Sequence, residues 1–121
     1  MTDPRHTRGR RGEQLAANHF ARLGYEILAR NHRTRWGELD LVAFDGETIV
    51  FAEVKTRRAG CGRPWDNLHD LKRSQVRRMA AAWLTEVHDR PYGAGLRFDA
   101  VGVLLDAHGA LVRLDHLQAA F

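Results

Sequence analysis

Asp40, Glu53 and Lys55, with Glu38 close by, carry most of the chemistry this sequence offers. They lie in one stretch, Trp36 to Arg57, WGELDLVAFDGETIVFAEVKTR. Two runs rich in strand-forming residues flank Asp45-Gly46. That dipeptide is a strong hairpin signal, because a two-residue type I′ turn needs positive φ twice. With Asp45 and Gly46 as the loop, Phe44 faces Glu47, Val42 faces Ile49, Asp40 faces Phe51 and Glu38 faces Glu53. Side chains alternate with period two and opposite residues share a side. The register therefore predicts Glu38, Asp40, Glu53 and Lys55 on one face, with Leu39, Leu41 and Ala43 on the other. A four-residue loop keeps this parity, whereas a three-residue loop or a bulge turns Glu53 away.

Carboxylates gathered in this way repel, and a hard cation removes the repulsion. Magnesium is commonly held by one or two carboxylates, waters and substrate phosphate oxygens. Lys55, two residues beyond Glu53, is placed to touch a scissile phosphate, or to orient and help deprotonate a water. Glu-x-Lys alone is better read as solvated surface charge. Asp, turn, then Glu-x-Lys in this register favours a metal site.

Gly37-Glu38-Leu39-Asp40, the turn, and Phe51-Ala52-Glu53-Val54-Lys55-Thr56-Arg57 resemble the core of the PD-(D/E)xK nuclease superfamily, which includes Holliday junction resolvases. The chain from Gly12 to Phe121 resembles more closely the YraN-like family of small endonuclease-like proteins. Softer signals are Glu13, Asn31, Arg97-Phe98-Asp99 and the closing Ala-Ala-Phe. The resemblance implies an α/β, restriction-endonuclease-like core, a mixed β-sheet flanked by helices. It implies Asp40 and Glu53 as ligands of Mg2+ or Mn2+, and Lys55 as the catalytic lysine. Further candidate ligands are the Val54 backbone carbonyl, Glu13 and Glu38. Leu39 replaces the proline of the superfamily's name, as in the resolvase-like branches. The implied activity is metal-dependent hydrolysis of DNA phosphodiester bonds, in branched or structured DNA among the options. The alternative is a non-catalytic nucleic-acid-binding or partner-binding module that keeps the nuclease fold.

The chain has 121 residues, 44% hydrophobic and 28% charged, which suits one folded domain. It carries 19 Lys+Arg against 15 Asp+Glu, a net charge of +4, with base distributed around the acidic hairpin. That pattern suits a polyanion, DNA in the first instance. Cys61 is the single cysteine, which excludes an intramolecular disulfide and a cysteine-cluster zinc site. No apolar run follows the basic N-terminus and none is long enough to span a bilayer, so a cytoplasmic protein without a membrane partner is expected. A junction resolvase would need two active sites, hence a homodimer.

The elements that must position these groups follow in order. Residues 1–11 read as a basic arm or a frayed helix start, and residues 12–121 as a single domain. Gly12 to Leu23 reads as a helix with Ala16, Ala17, Phe20, Ala21 and Leu23 on its apolar stripe and Glu13 at the end of that face. Tyr25 to Arg30 is a strand with Tyr25, Ile27 and Ala29 on one side. Asn31 to Trp36 is a basic loop in which Arg33 and Arg35 could clamp a nucleic-acid backbone; Trp36 either stacks on a base or packs. Arg57 to Asn67, with Arg57 and Arg58 near the site, reads as a flap or a plain connection. A helix from Asp66 or Asn67 to about His88 is interrupted on its apolar stripe by Lys72 and Gln75, both within reach of a phosphate or simply at the stripe's edge. Arg97 to Leu105 is an apolar strand in which Asp99 needs a partner, and Leu111 to Asp115 is the last strand.

Overall fold

Ala16, Ala17 and Phe20 recur at helical spacing and are buried. They define the inner face of α1 (Pro4–Arg22) in the computed structural model, which describes residues 4–60 and 70–121, with side chains from 9–60 and 74–121. Proline suits the first helical turn, where its missing N–H costs nothing. The helix accordingly extends back to Pro4 through residues read as a basic arm or a frayed helix start. Leu23 leaves the stripe: it lies beyond the helix and is exposed.

The strands β1 (Glu26–Thr34), β2 (Gly37–Phe44), β3 (Thr48–Arg58), β4 (Gly95–Leu105) and β5 (Leu111–Leu117) form one sheet in the order β1-β2-β3-β4-β5. All neighbours are antiparallel except β3 and β4, which are parallel and joined through α2 (Asp70–Glu86). A parallel pair needs such a crossover. The result is a mixed α/β sheet, as the sequence implies, and it is consistent with a restriction-endonuclease-like core. Neither described helix is long and apolar enough to cross a membrane.

The sheet separates two apolar layers. One, under α1, joins Ala16, Phe20, Leu41, Ala43, Val50, Ala52 and Val101. The other, under α2, joins Leu39, Val42, Ile49, Phe51, Val76, Met79 and Trp83. Trp83 meets Phe51 edge to face, with ring centroids 5.7 Å apart. Two alternations break. A bulge between Ile27 and Ala29 sends Ala29 to the α2 layer while Ile27 stays under α1. Leu39 and Leu41, expected on one face, enter opposite layers.

The hairpin turn also sits one residue later than the sequence implies. Asp45 Oδ1 accepts the N–H groups of Glu47 and Thr48 at 2.9 and 2.7 Å, and the Asp45 N–H donates to the Thr48 carbonyl at 3.3 Å. Asp45 is therefore the residue before the loop, and Gly46-Glu47 form it. Gly46 has φ 103° and Glu47 has no positive φ, so the turn is not type I′. The ladder runs Phe44↔Ile49, Ala43↔Val50, Val42↔Phe51 and Leu41↔Ala52. Each partner in β3 is two residues further on than predicted, which preserves parity.

Asp99, wholly buried in β4, finds the basic partner it requires. Arg97 donates to it twice at 2.8 Å, His116 Nε2 lies 2.7 Å away, and the Ala119 N–H donates at 3.0 Å. Burial opposes its ionisation, but the hydrogen bonds from Arg97, His116 and Ala119 prevail and hold its carboxyl below the usual range. On its other side the His116 ring places Nδ1 3.0 Å from His19 Nε2, within hydrogen-bond distance. This chain ties β5 and the C-terminal residues to β4 and α1.

Two outcomes follow. His19 is held below its ordinary value of 6.5 by burial, then by His116 and Arg22. A histidine depressed in the folded state contributes stability that is complete above about pH 6.5 and is lost as pH falls through its folded value. The thermal midpoint should drop as pH falls below about 6.5, and His19→Gln should flatten that drop relative to the parent, as differential scanning fluorimetry across pH will show. At Gly12, an added methyl overlaps Thr56 Oγ1 of β3. Gly12→Ala should cost about 1–3 kcal/mol by overpacking, and Thr56→Ala should recover part of it in denaturant melts.

Candidate metal centre

The β2–β3 ladder stops at Leu41/Ala52, while β2 goes on pairing with β1 as far as Gly37 and β3 with β4 as far as Arg58. The two middle strands thus part at Asp40. One residue past the last pair, the register sets Asp40 level with Glu53, not Phe51. At this fork a side chain takes over from the backbone: the Val54 N–H donates to Asp40 Oδ2 at 2.8 Å.

Asp40 meets two other acids. One carboxylate oxygen each from Glu13 of α1, Glu38 and Asp40 lie within 4.8 Å of one another. Glu13 and Asp40 are half-buried and Glu38 is exposed. The irregularity that parts Leu39 from Leu41 is what lets Glu38 and Asp40 both face α1. Gly12 contributes too, since its close approach to Thr56 brings the start of the buried helix face against β3.

Asn31 sits among these acids. The hydrogen-bond pattern orients its amide nitrogen toward them, donating to Glu38 Oε1 at 2.9 Å and to Glu13. Its φ is 52°, a left-handed conformation that asparagine tolerates better than most residues. Sequence reasoning attached Asn31 only to a family likeness and missed this position. Asn31 to Thr34, read as the start of a loop, instead continue β1, so the sequence offered no signal for this position beyond the family likeness.

Glu53 is not among the acids within that distance. It is 6% exposed, and its Oε1 lies 3.8 Å from Lys55 Nζ. Ala52 and Val54 pack on the α1 layer, so alternation directs Glu53 and Lys55 to the opposite face. The expected single face carrying Glu38, Asp40, Glu53 and Lys55 is therefore replaced by two groups, a trio and a pair, joined through Val54. The contact the structure gives Val54 is its N–H to Asp40, not the carbonyl expected as a ligand.

The expected phosphate-binding residues scatter. Arg57 donates to the Thr56 carbonyl at 3.0 Å, and Arg58 is exposed at the end of β3. Arg33 is exposed, 3.8 Å from Glu38. Arg35 stacks over Trp36. Gln75 donates to the Trp36 carbonyl at 2.6 Å, a contact within the fold. Lys72 lies in α2 with its side chain outside the described residues, and the flap expected in Arg57 to Asn67 falls outside them from residue 61 onward.

Three carboxylates offering oxygens at this spacing fit a hard divalent cation such as Mg2+ or Mn2+, which takes oxygen ligands and keeps waters. They do not match the softer donor sets of zinc or copper sites. Asn31→Gly and Asn31→Ala should both lose the amide bridge, and the alanine variant should be the less stable by up to about 1 kcal/mol, because it alone is strained at positive φ. Urea midpoints of the two variants check this.

Comparison with known proteins places the same segment in context. Residues 12–103 match the model of a family described as "Uncharacterised protein family UPF0102". A UPF0102 protein of Nocardia farcinica is 47% identical over 114 residues, covering 93% of this chain and 87% of that protein. One from Pelotomaculum thermopropionicum is 40% identical over 122 residues, covering all of both chains. One from Acidothermus cellulolyticus is 48% identical over 105 residues, covering 79% of this chain and 80% of its own.

Proposed function

The chain belongs to the UPF0102 family, whose description names no activity, and from its site we propose a metal-dependent nuclease of the PD-(D/E)xK type that hydrolyses phosphodiester bonds in DNA. The observation that carries this reading is the meeting of Glu13, Glu38 and Asp40 where β2 and β3 part, with Glu53-Val54-Lys55 on the adjoining strand. A bound Mg2+ or Mn2+ would lower the pKa of a water and offset the charge of the phosphate.

The protein's own groups have distinct tasks. Glu13, Glu38 and Asp40 supply the anionic oxygens that hold the cation. Asn31 keeps two of them together, and the Val54 N–H fixes the third. Lys55, 24% exposed and held near Glu53, reaches the scissile phosphate through the fork where β2 and β3 part, and there supplies a positive charge or orients the attacking water. The water oxygen bonds to phosphorus and gives up a proton to solvent, the bond to the sugar oxygen breaks, and that oxygen takes up a proton from solvent.

A second reading, a nucleic-acid-binding module that keeps the core without cleaving, draws on Glu53 standing outside the trio and pairing with Lys55. Asp40→Ala and Lys55→Ala separate the two. On the nuclease reading both variants still fold, each losing about 1–3 kcal/mol with the contact it removes, the Val54 N–H acceptor or the Glu53 partner. Both also lose at least about 100-fold in metal-dependent cleavage of a panel of duplex, single-stranded, flap and four-way-junction DNA. Undiminished cleavage by both variants would sink the assignment. Binding by the parent that ignores metal, with no cleavage of any substrate, would favour the second reading.

A further inference from the structure

A second feature lies beside the acids, at the β1–β2 turn. The Arg35 and Arg78 guanidinium carbons lie 4.6 and 4.8 Å from the centroid of the Trp36 ring. Both arginines are exposed, and among the described residues neither has a hydrogen-bond or ion-pair partner. They border an open depression of about 370 Å3 along α2, lined further by Ala81, Ala82 and Thr85 and, about two turns beyond Arg78, by Glu86. That volume falls at the low end for small-ligand sites, roughly 300–1,000 Å3. Glu86 Oε2 is engaged 3.2 Å from His32 Nε2, so the depression is basic at one end and acidic at the other.

We propose that Arg35, Trp36 and Arg78 form a subsite for one unpaired nucleotide, its base stacked on the ring and guanidinium planes and its phosphate against the two arginines. Aromatic rings and guanidinium planes both accept bases, largely without regard to sequence. Glu86 at the far end repels phosphate and sets the direction in which the nucleotide lies. An exposed guanidinium resting on an indole leaves it at small cost, opening the ring face while its charge moves to the phosphate.

Position supports a single strand over a duplex. Trp36 and Glu38 are two residues apart, at most about 7 Å of chain. Yet Trp36 packs on the α2 layer and Glu38 meets Glu13 of α1. A strand running from the acids to the platform must therefore cross the end of the sheet from one face to the other. A duplex, stiff over about 150 base pairs, does not turn so sharply, whereas an unpaired strand does. The platform is held firmly to the acids. Gln75 anchors the Trp36 carbonyl, and Gly37, at φ 131°, lies where a Cβ would come within 2.8 Å of Gln75 Nε2.

The proposal rests on the nucleic-acid part of the preceding reading, not on catalysis. It is therefore tested by binding alone, in chelator, by fluorescence anisotropy of labelled oligonucleotides: single-stranded DNA, single-stranded RNA, a blunt duplex and an abasic single strand. Arg35→Ala/Arg78→Ala changes only exposed side chains, and Trp36→Phe keeps an aromatic in the packing; circular dichroism checks both folds. The double variant should lose about tenfold or more in single-strand affinity, with the log–log salt slope shallower by about 1.4 for two lost phosphate contacts. Trp36→Phe should lose less. The abasic strand should bind the parent more weakly than the intact one, and the duplex should not respond to the substitutions. Preference for DNA or RNA names the polymer and supports the subsite either way. Equal losses on duplex and single strand, or equal binding of abasic and intact strands, would overturn it. So would an absence of nucleic-acid binding by the parent, which would turn the platform toward an acidic protein partner. Loss of cleavage in Asp40→Ala bears on the nuclease reading and leaves this outcome untouched.

Discussion

The parting of β2 from β3 at Leu41/Ala52 is the constraint on which the rest of the site depends. A backbone donor at the edge of a fork must be satisfied, because a buried unpaired N–H costs about as much as a lost hydrogen bond. Asp40 satisfies the Val54 N–H at 2.8 Å, and in doing so is held at the mouth of the fork. Placing one carboxylate there creates the demand for what surrounds it. Glu38 follows on the same strand, Glu13 arrives because Gly12 lets α1 lie against Thr56, and Asn31 joins two of the acids through its amide. β2 brings two of the acids, α1 the third and β1 the amide, and none brings the site alone.

The sequence disclosed the elements and the chemical types but not the break in alternation. Strand composition located β2 and β3, and the helical spacing of Val76, Met79, Ala80 and Trp83 located the buried face of α2. Asp45-Gly46 correctly marked a turn. Its exact placement depended on the Asp45 side chain, which accepts two N–H groups and becomes the residue before the loop. Local propensity does not include that contact. Period-two reasoning carried Leu39 and Leu41 to the same face, whereas tertiary packing pulls them to opposite layers. Hence the proposed acids divide into a trio and a Glu53–Lys55 pair. Asn31 was legible only through the family likeness, since its role depends on a left-handed backbone and on carboxylates from two other segments.

The same strand end serves both faces of the sheet. Trp36, Gly37 and Glu38 are consecutive, yet the tryptophan packs toward α2 and the glutamate toward α1. Gly37 makes this possible: its φ of 131° is a backbone that side chains rarely adopt, and Gln75 occupies the space a Cβ would need. Gln75 therefore interrupts the apolar stripe of α2 for a reason internal to the fold. It fixes the hinge between a basic aromatic platform and an acidic cluster, two features of opposite charge that the proposed single-strand path would join.

Charge balance separates the structural carboxylates from the chemical ones. Asp99 is fully buried and surrounded by donors: two hydrogen bonds from Arg97, one contact from His116 and one from the Ala119 N–H. Four contacts to two oxygens saturate it, and breaking such a set exposes a buried charge at a cost of several kcal/mol. That is the composition of a fastening, and it secures β4, β5 and the C-terminal residues. The trio is built the other way. Three acids converge within 4.8 Å, bridged in part by one neutral amide that neutralises nothing. Like charges so placed raise the energy of the fold unless a cation shares them. Such an arrangement at the mouth of an open fork is what the proposed metal-dependent reading uses, since a hard cation takes oxygen ligands of this kind.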